Sequence, residues 1–389
     1  MDIKVIATTG VGHIADKEEF DVFSGRTAGV CYMSSSFAEL ENEDREKTIK
    51  RMKLTKTNGH HSVFDHETIS LYLDNVPKML AMILNNEKQY ATSEKSARYT
   101  KMVLTEKEQT IYNKWIEIFK TRIIKKKYNE NYPQFFTASR IEKLAQENAR
   151  YLISVFTPTS LVYTTTYRQF NYLIAFMESF INKPIHTDFE SKVASVLQEF
   201  VQKLKSLQYY DEKLSVNDKN RHLSLFADEE PCEDYFGDVY CTTYKASFAE
   251  LAQAQRHRTI NYKMRVLENE YYVPEIIKDS EDLTALWIDD IKSLGNIYPQ
   301  ATMLEITEMG TLDNFILKMY ERKCTFAQLE INRVTNETLK KYEYSLRLKI
   351  HPRAEELRAY IHGSRCTFPN YKCASPCGFA LGVNETRDI

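Results

Sequence analysis

A strong charge of either sign is missing from this sequence: 52 basic against 54 acidic residues leave a formal net charge of −2. No global positive field is available to hold nucleic acid or an anionic membrane, so a polyanion would have to meet a local cluster of cations. Glycine (11) and proline (10) are scarce among 389 residues, which disfavours an all-β sandwich with its many tight turns. No apolar run approaches the roughly 20 residues that span a bilayer. The first ten residues lack the basic stretch and apolar core of a secretion signal. Cysteine is odd in number, at seven. Without a secretion signal, reduced thiols or a metal site are expected rather than a disulfide framework, along with a cytoplasmic location.

What is present is an ordinary globular composition, 43% hydrophobic and 27% charged, with 25 Tyr and 20 Phe. The length suits two domains. Alternation predicts strands at 3–8, 68–73 and 239–244, and apolar spacing of three to four predicts helices at 41–57, 76–84, 107–125, 141–153, 189–207, 246–255 and 311–333. Between Tyr209 and Cys232 the pattern collapses into Asp, Lys, Asn and Glu, which reads as a linker. The expected boundary lies near residue 225.

Four segments carry chemistry. Gly59-His60-His61-Ser62-Val63-Phe64-Asp65-His66 packs three imidazoles and a carboxylate between a helix and a strand, suited to acid–base work or to a capped turn with exposed histidines. It lacks the His-x-x-x-His spacing that puts two zinc ligands on one helical face. Ser93-Glu94-Lys95-Ser96-Ala97-Arg98-Tyr99 offers a hydroxyl, backbone N–H groups and a guanidinium, a set that grips phosphate or simply ends a solvated helix. Arg150 closes an otherwise apolar helix, where an arginine is commonly snorkelling or paired. Gln253-Ala254-Gln255-Arg256-His257-Arg258 is the sharpest signal. Consecutive helical residues point about 100° apart, so its three cationic or titratable residues cannot all face solvent, and a pyrophosphate is a suitable partner. Arg322 lies in Glu321-Arg322-Lys323-Cys324-Thr325-Phe326-Ala327-Gln328-Leu329-Glu330-Ile331. Cys324, Cys366, Cys373 and Cys377 number four, as zinc favours, but they do not form paired Cys-x-x-Cys knuckles, and free thiols are the alternative.

Together these segments resemble the flavin-dependent thymidylate synthases. That family is marked by a Gly-His-x-Ser/Thr loop ending in Glu-His, by Arg-His-Arg followed by Ser-x-Arg-Tyr, by an Ala-Arg helix, and by an arginine shortly before Ala-Gln-x-Glu-Ile. Both halves of the chain resemble the family, with the motifs divided between them. The first half holds the His60 loop, with Asp65 in place of Glu, and Glu94, Ser96, Arg98, Tyr99 and Arg150. It reads Asn86-Glu87-Lys88 at the Arg-His-Arg position and Met177 at the arginine position. The second half holds Gln253, Arg256, His257, Arg258 and Arg322. It lacks the histidine loop near Pro231 to Gly237 and reads Val266-Leu267-Glu268-Asn269 and Gly295 at the nucleotide positions.

The resemblance implies an α+β fold of two tandem units, 1–225 and 226–389, each a small mixed sheet flanked by long helices. It implies methylation of dUMP to dTMP, with FAD as cofactor, methylenetetrahydrofolate as carbon donor and NADPH as reductant. His60 and Arg322 would be catalytic. Ser62, Asp65, Arg168, Arg256, His257 and Arg258 would hold FAD. Glu94, Ser96, Ala97, Arg98, Arg150, Gln253 and Arg322 would hold dUMP. A homodimer would mimic the family homotetramer, with no nucleic-acid or membrane partner. Asn261 and Phe326 replace usual residues near the flavin and leave open a dUMP hydroxymethylase. A non-catalytic nucleotide-binding scaffold is the alternative from another class.

Overall fold

The computed structural model describes residues 1–10, 13–95, 102–126, 128–226, 232–378 and 388–389. In chain order the elements begin with β1 (Asp2–Thr8), α1 (Lys17–Tyr32), α2 (Phe37–Glu41), α3 (Arg45–Thr57), β2 (Thr68–Pro77), α4 (Lys78–Leu84) and β3 (Tyr90–Glu94). Next come α5 (Glu106–Ile124), α6 (Tyr128–Asn131), α7 (Ala138–Ala149), β4 (Pro158–Thr166), α8 (Tyr167–Ile181) and α9 (Asp188–Lys205). The remainder holds β5 (Tyr235–Phe236), β6 (Val239–Ser247), α10 (Phe248–Ala254), β7 (Asn261–Tyr271) and α11 (Glu281–Ser293). It closes with β8 (Thr302–Thr311), α12 (Leu312–Arg322), α13 (Leu329–Leu348) and α14 (Ala354–Arg358).

The chain is α+β and forms two compact units, Met1–Lys95 with Pro158–Ser224, and Ser96–Thr157 with Leu225–Ile389. The block 96–157 thus packs with the C-terminal part of the chain, although in sequence it precedes the expected boundary. The cause is apolar: Trp115 on α5 meets Trp287 on α11 edge-on at 4.8 Å, and its indole N–H donates to Asp290 at 2.7 Å. Phe119, Phe135, Phe136, Leu144 and Ile291 join the same buried cluster. Full burial of one such side chain stabilises by roughly 1.5–3 kcal/mol.

The first unit holds an antiparallel sheet in the order β1-β2-β4-β3. Burial alternates along β2, where Ile69, Leu71 and Leu73 point inward, as a half-covered sheet requires. The second unit holds an antiparallel sheet in the order β5-β6-β8-β7. In both sheets a short helix follows the second strand and a longer helix follows the fourth. These are α4 and α8 in the first unit, and α10 and α12 in the second.

Three sequence expectations change. The helix expected over 311–333 is two helices, because residues 323–328 turn away from helical geometry. Lys323 is drawn off the axis to Asn336 Oδ1 (3.0 Å) and the Tyr360 carbonyl (2.8 Å). The stretch from Tyr209 onward is not a linker as far as residue 226. Tyr209, Leu214, Leu223 and Leu225 are buried, and Asn171, also buried, donates to the Tyr209 carbonyl (3.1 Å) and accepts from the Asp211 N–H (2.8 Å). Cys232 and Cys241 are joined by a disulfide rather than left as free thiols. The β5–β6 pairing, with Tyr235 opposite Cys241, folds the segment before β5 back along β6.

Candidate active site

In the second unit the polar residues form a connected chain. α7 ends at Ala149, and the single 3₁₀ turn Arg150–Leu152 carries the Arg150 side chain inward, where it is 6% exposed. Its Nη2 donates to Gln328 Oε1, the atom that also accepts from Gln253 Nε2. Gln253 lies on α10, whose N-terminus is capped by Ser247. Its backbone carbonyl accepts from Arg322 Nη2 at 3.0 Å, and Arg322 Nε donates to His257 Nε2 at 2.8 Å. Four of the sequence-derived site residues, Arg150, Gln253, His257 and Arg322, are therefore brought together, with Gln328 as their junction.

Electrostatics fix the roles inside this chain. Burial, with Arg322, Lys318 and Arg256 nearby, lowers His257 to about 2. The imidazole is neutral at any working pH and accepts the Arg322 N–H, which fixes its tautomer. Arg322 is itself lowered by burial and by Arg256, but a guanidinium stays charged in a protein. Glu330 accepts from Tyr151 Oη (2.6 Å) and from the Ser247 N–H (2.8 Å) and hydroxyl (2.7 Å), which locks the start of α13 against α10. Beneath them Lys318 and Glu308 form a fully buried ion pair at 2.6 Å, and Tyr240 and Tyr244 donate to the same carboxylate.

Some of the buried polar atoms lack partners. Gln253 Oε1, Gln328 Nε2 and both carboxyl oxygens of Glu250 make no hydrogen bond among the described residues. Leaving such groups unmade costs about 1–3 kcal/mol each, which a ligand presenting matching donors and acceptors would recover. Burial pushes Glu250 up to about 8, although Lys318 pulls the other way. Glu250 is not among the residues that the sequence motifs single out, and Gln328 stands in them without a role. The signal for Glu250 was its place three residues before Gln253, on one face of α10.

The first unit holds the histidine loop in the single 3₁₀ turn His61–Asp65, entered through Gly59 at φ +75°. His60 is exposed, with its ring 5.7 Å from that of Tyr32. His61 faces inward and bonds Tyr172 Oη and the Lys56 carbonyl, both at 3.0 Å. Ser62 is exposed. Asp65 binds Arg168 through two contacts, Nε at 3.0 Å and Nη2, and accepts from the Thr166 hydroxyl at 2.9 Å. Glu94, at the end of β3, is held by Lys78 at 2.6 and 2.7 Å. A cavity of about 550 Å³ opens beside this loop, with His61, Arg168, Tyr172 and Phe176 on one side. Arg256 and Arg258 are exposed at the end of α10 in the second unit. Ser96, Ala97 and Arg98 lie outside the described residues. Cys324, Cys366, Cys373 and Cys377 are half-buried free thiols, and burial raises Cys366, helped by the other three. Among the described residues no group of three or more His, Cys, Asp or Glu is placed to hold a metal ion, and no helix is long and apolar enough to cross a membrane.

Comparison with known proteins finds similarity over part of the chain. Residues 14–179 match the model of the thymidylate synthase complementing proteins. Among solved structures, the chain is similar to the flavin-dependent thymidylate synthase ThyX from Helicobacter pylori complexed with FAD and dUMP. That match has 15% identity and a TM-score of 0.31, and covers 55% of this chain and 99% of that one. The chain is also similar to the UMP/dUMP methylase PolB from Streptomyces cacaoi bound with 5-Br dUMP. Here identity is 15% and the TM-score 0.32, covering 53% of this chain and 90% of that one. No curated protein matches. The stretch that matches, residues 14–179, contains the histidine loop, Glu94, Arg150 and Arg168.

Proposed function

We propose that this protein is a flavoenzyme that methylates dUMP to dTMP, drawing on FAD, methylenetetrahydrofolate and NADPH. The observation that carries the reading is the buried chain Arg150–Gln328–Gln253–Arg322–His257 with its orphaned amide atoms. A pyrimidine nucleotide offers what that chain lacks: alternating carbonyl and N–H groups on the base, and a phosphate for a cation. Arg322 would stabilise negative charge that develops on the uracil carbonyls, a role worth about 2.7–4 kcal/mol when one such donor is removed. Neutral His257 holds the guanidinium edge without competing for the anion. Arg150, with Ser96, Ala97 and Arg98, would take the nucleotide phosphate, and Glu94 and Gln253 would address the nucleotide.

The residues assigned to the flavin fit such a group. The cavity beside Arg168 joins cations to the aromatic rings of Tyr172 and Phe176, as a pyrophosphate attached to flat rings requires. Ser62, Asp65, Arg168, Arg256, His257 and Arg258 would hold it. When bound it would supply redox chemistry. His60 would position it or move a proton. The matching strand orders of the two antiparallel sheets support reading the chain as two tandem copies. On that reading the site residues are divided between the copies, each chain carries one FAD, and two chains reproduce a family tetramer.

Incubation with dUMP, methylenetetrahydrofolate and NADPH, followed by mass spectrometry of the nucleotide, tests the proposal. A gain of one methyl group supports it. A hydroxymethyl product would select the hydroxymethylase instead. Unchanged dUMP from protein that does bind FAD and dUMP would leave a scaffold.

A further inference from the structure

The cavity of the first unit has a second wall, built by the segment whose composition is that of a linker. Lys213, Lys219 and Arg221 line it from this side, with Asp218 as the single carboxylate among the lining residues. Across from them stand Lys56 and Arg168, and both of those are neutralised. Lys56 is bound by Asp211 at 2.6 Å, and Arg168 by Asp65. The three cations of the segment make no ion pair among the described residues. Arg221 lies 4.7 Å from the Phe176 ring centre, which orients its guanidinium along the aromatic face.

This arm is held at both ends. Asn171 fixes its start through Tyr209 and Asp211, and the Ser215 hydroxyl donates to the Asn171 carbonyl at 3.2 Å. Its tip is closed by Asn217, which accepts from the Arg221 N–H (2.8 Å) and donates to the Arg221 carbonyl (2.7 Å), with Asn220 left-handed at φ +48°. Its end is gripped by the turn after α4. Asn86 Nδ2 donates to Ser224 Oγ at 2.8 Å, and the Ser224 N–H donates to buried Glu87. Three like charges held on a pinned arm around one cavity repel one another, and an anion in the cavity would be attracted by all three.

We propose that Lys213, Lys219 and Arg221 form an anion clamp for the pyrophosphate of a dinucleotide whose aromatic ring lies along Tyr172. The assignment rests on the flavoenzyme reading for which dinucleotide binds, since FAD and NADPH share the adenosine diphosphate group. The clamp itself rests on the arm alone. It makes residues 213–221 part of the binding machinery rather than a connection between copies.

The test is calorimetric titration of full-length protein with inorganic pyrophosphate, ADP, FAD and NADPH. The variants are Lys213→Ala/Lys219→Ala/Arg221→Ala together and, as control, Lys4→Ala/Lys50→Ala/Lys143→Ala. Each lost charge-assisted contact is expected to weaken binding about tenfold or more. The triple clamp variant should therefore lose on the order of a thousandfold in affinity for pyrophosphate and ADP, while the control keeps wild-type affinity. The clamp residues are exposed, so the melting temperature should hold, and Arg221→Lys should recover part of the loss. FAD affinity falling with the clamp identifies the flavin as occupant, and NADPH affinity falling instead identifies the reductant. Clamp-dependent binding of pyrophosphate and ADP in a protein that takes up no FAD would keep the clamp and sink the flavoenzyme reading. Unchanged FAD, NADPH, ADP and pyrophosphate binding in the clamp variant, or no anion binding by the wild type, would overturn the clamp.

Discussion

Replacing Glu250 with glutamine should make the protein more stable at pH 8 than at pH 5, relative to wild type. The carboxyl is pushed from its ordinary 4.5 up to about 8 by burial. Between those values the unfolded chain has lost the proton and the folded chain keeps it. The folded state therefore binds more protons, and stability falls as pH rises across that window. At about 1.4 kcal/mol per pH unit, the loss between pH 5 and pH 8 is about 4 kcal/mol. Glutamine keeps the shape and cannot ionise, so its urea midpoint should not decline with wild type over this range. Glu330, also raised by burial, is present in both proteins. Parallel stability curves from pH 5 to pH 8 would refute the assignment of Glu250 as a buried, unpaired acid.

His257→Gln probes the opposite limb. The imidazole is lowered from 6.5 to about 2 by burial and neighbouring cations, so its contribution is present above pH 6.5 and is lost as pH falls. The variant should escape a decline of about 1.4 kcal/mol per pH unit below 6.5, read from urea unfolding at pH 4 and pH 6. An unchanged acid slope would mean that His257 protonates in the folded state. Lys318→Met strands Glu308 in the core and should cost about 3–5 kcal/mol, and a loss below 1 kcal/mol would show that water reaches the pair.

Legibility in the sequence followed the length and amphipathicity of each element. α5 and α9 announced themselves by a 3.6-residue period, and the structure starts both with capping boxes, Thr105 with Glu108 and Thr187 with Glu190. β4 was hidden because Pro-Thr-Ser-Leu-Val-Tyr-Thr-Thr-Thr carries polar residues on both faces, several of them buried at the middle of a sheet. The arm at 209–224 was hidden for a different reason. Its composition is that of a loop, and what orders it is Asn171 and Glu87, each more than thirty residues away in sequence. The site was legible as residue types, since Arg150, Gln253, His257 and Arg322 were all singled out. Its wiring was not, because the atom that joins Arg150 to Gln253 belongs to Gln328, an amide inside an apolar stretch.

The turn after the short helix shows how one scaffold position serves two purposes. α4 lies between β2 and β3, and α10 lies between β6 and β7, the corresponding places in two sheets of the same strand order. After α10 the turn presents Arg256, His257 and Arg258, and His257 accepts from Arg322 on the helix that follows the fourth strand. After α4 the turn presents Asn86 and Glu87, both buried and both bonded to Ser224, while the helix that follows the fourth strand has buried Met177 in place of a cation. The first unit therefore has no empty position where the second carries its cationic turn. Burial raises Glu87, a cost of holding it inside that is offset by the Ser224 N–H. What that bond secures is the end of an arm whose three cations line the cavity beside the histidine loop. On the tandem reading, one copy keeps its charge at the turn, and the other uses the turn to hold charge in place elsewhere.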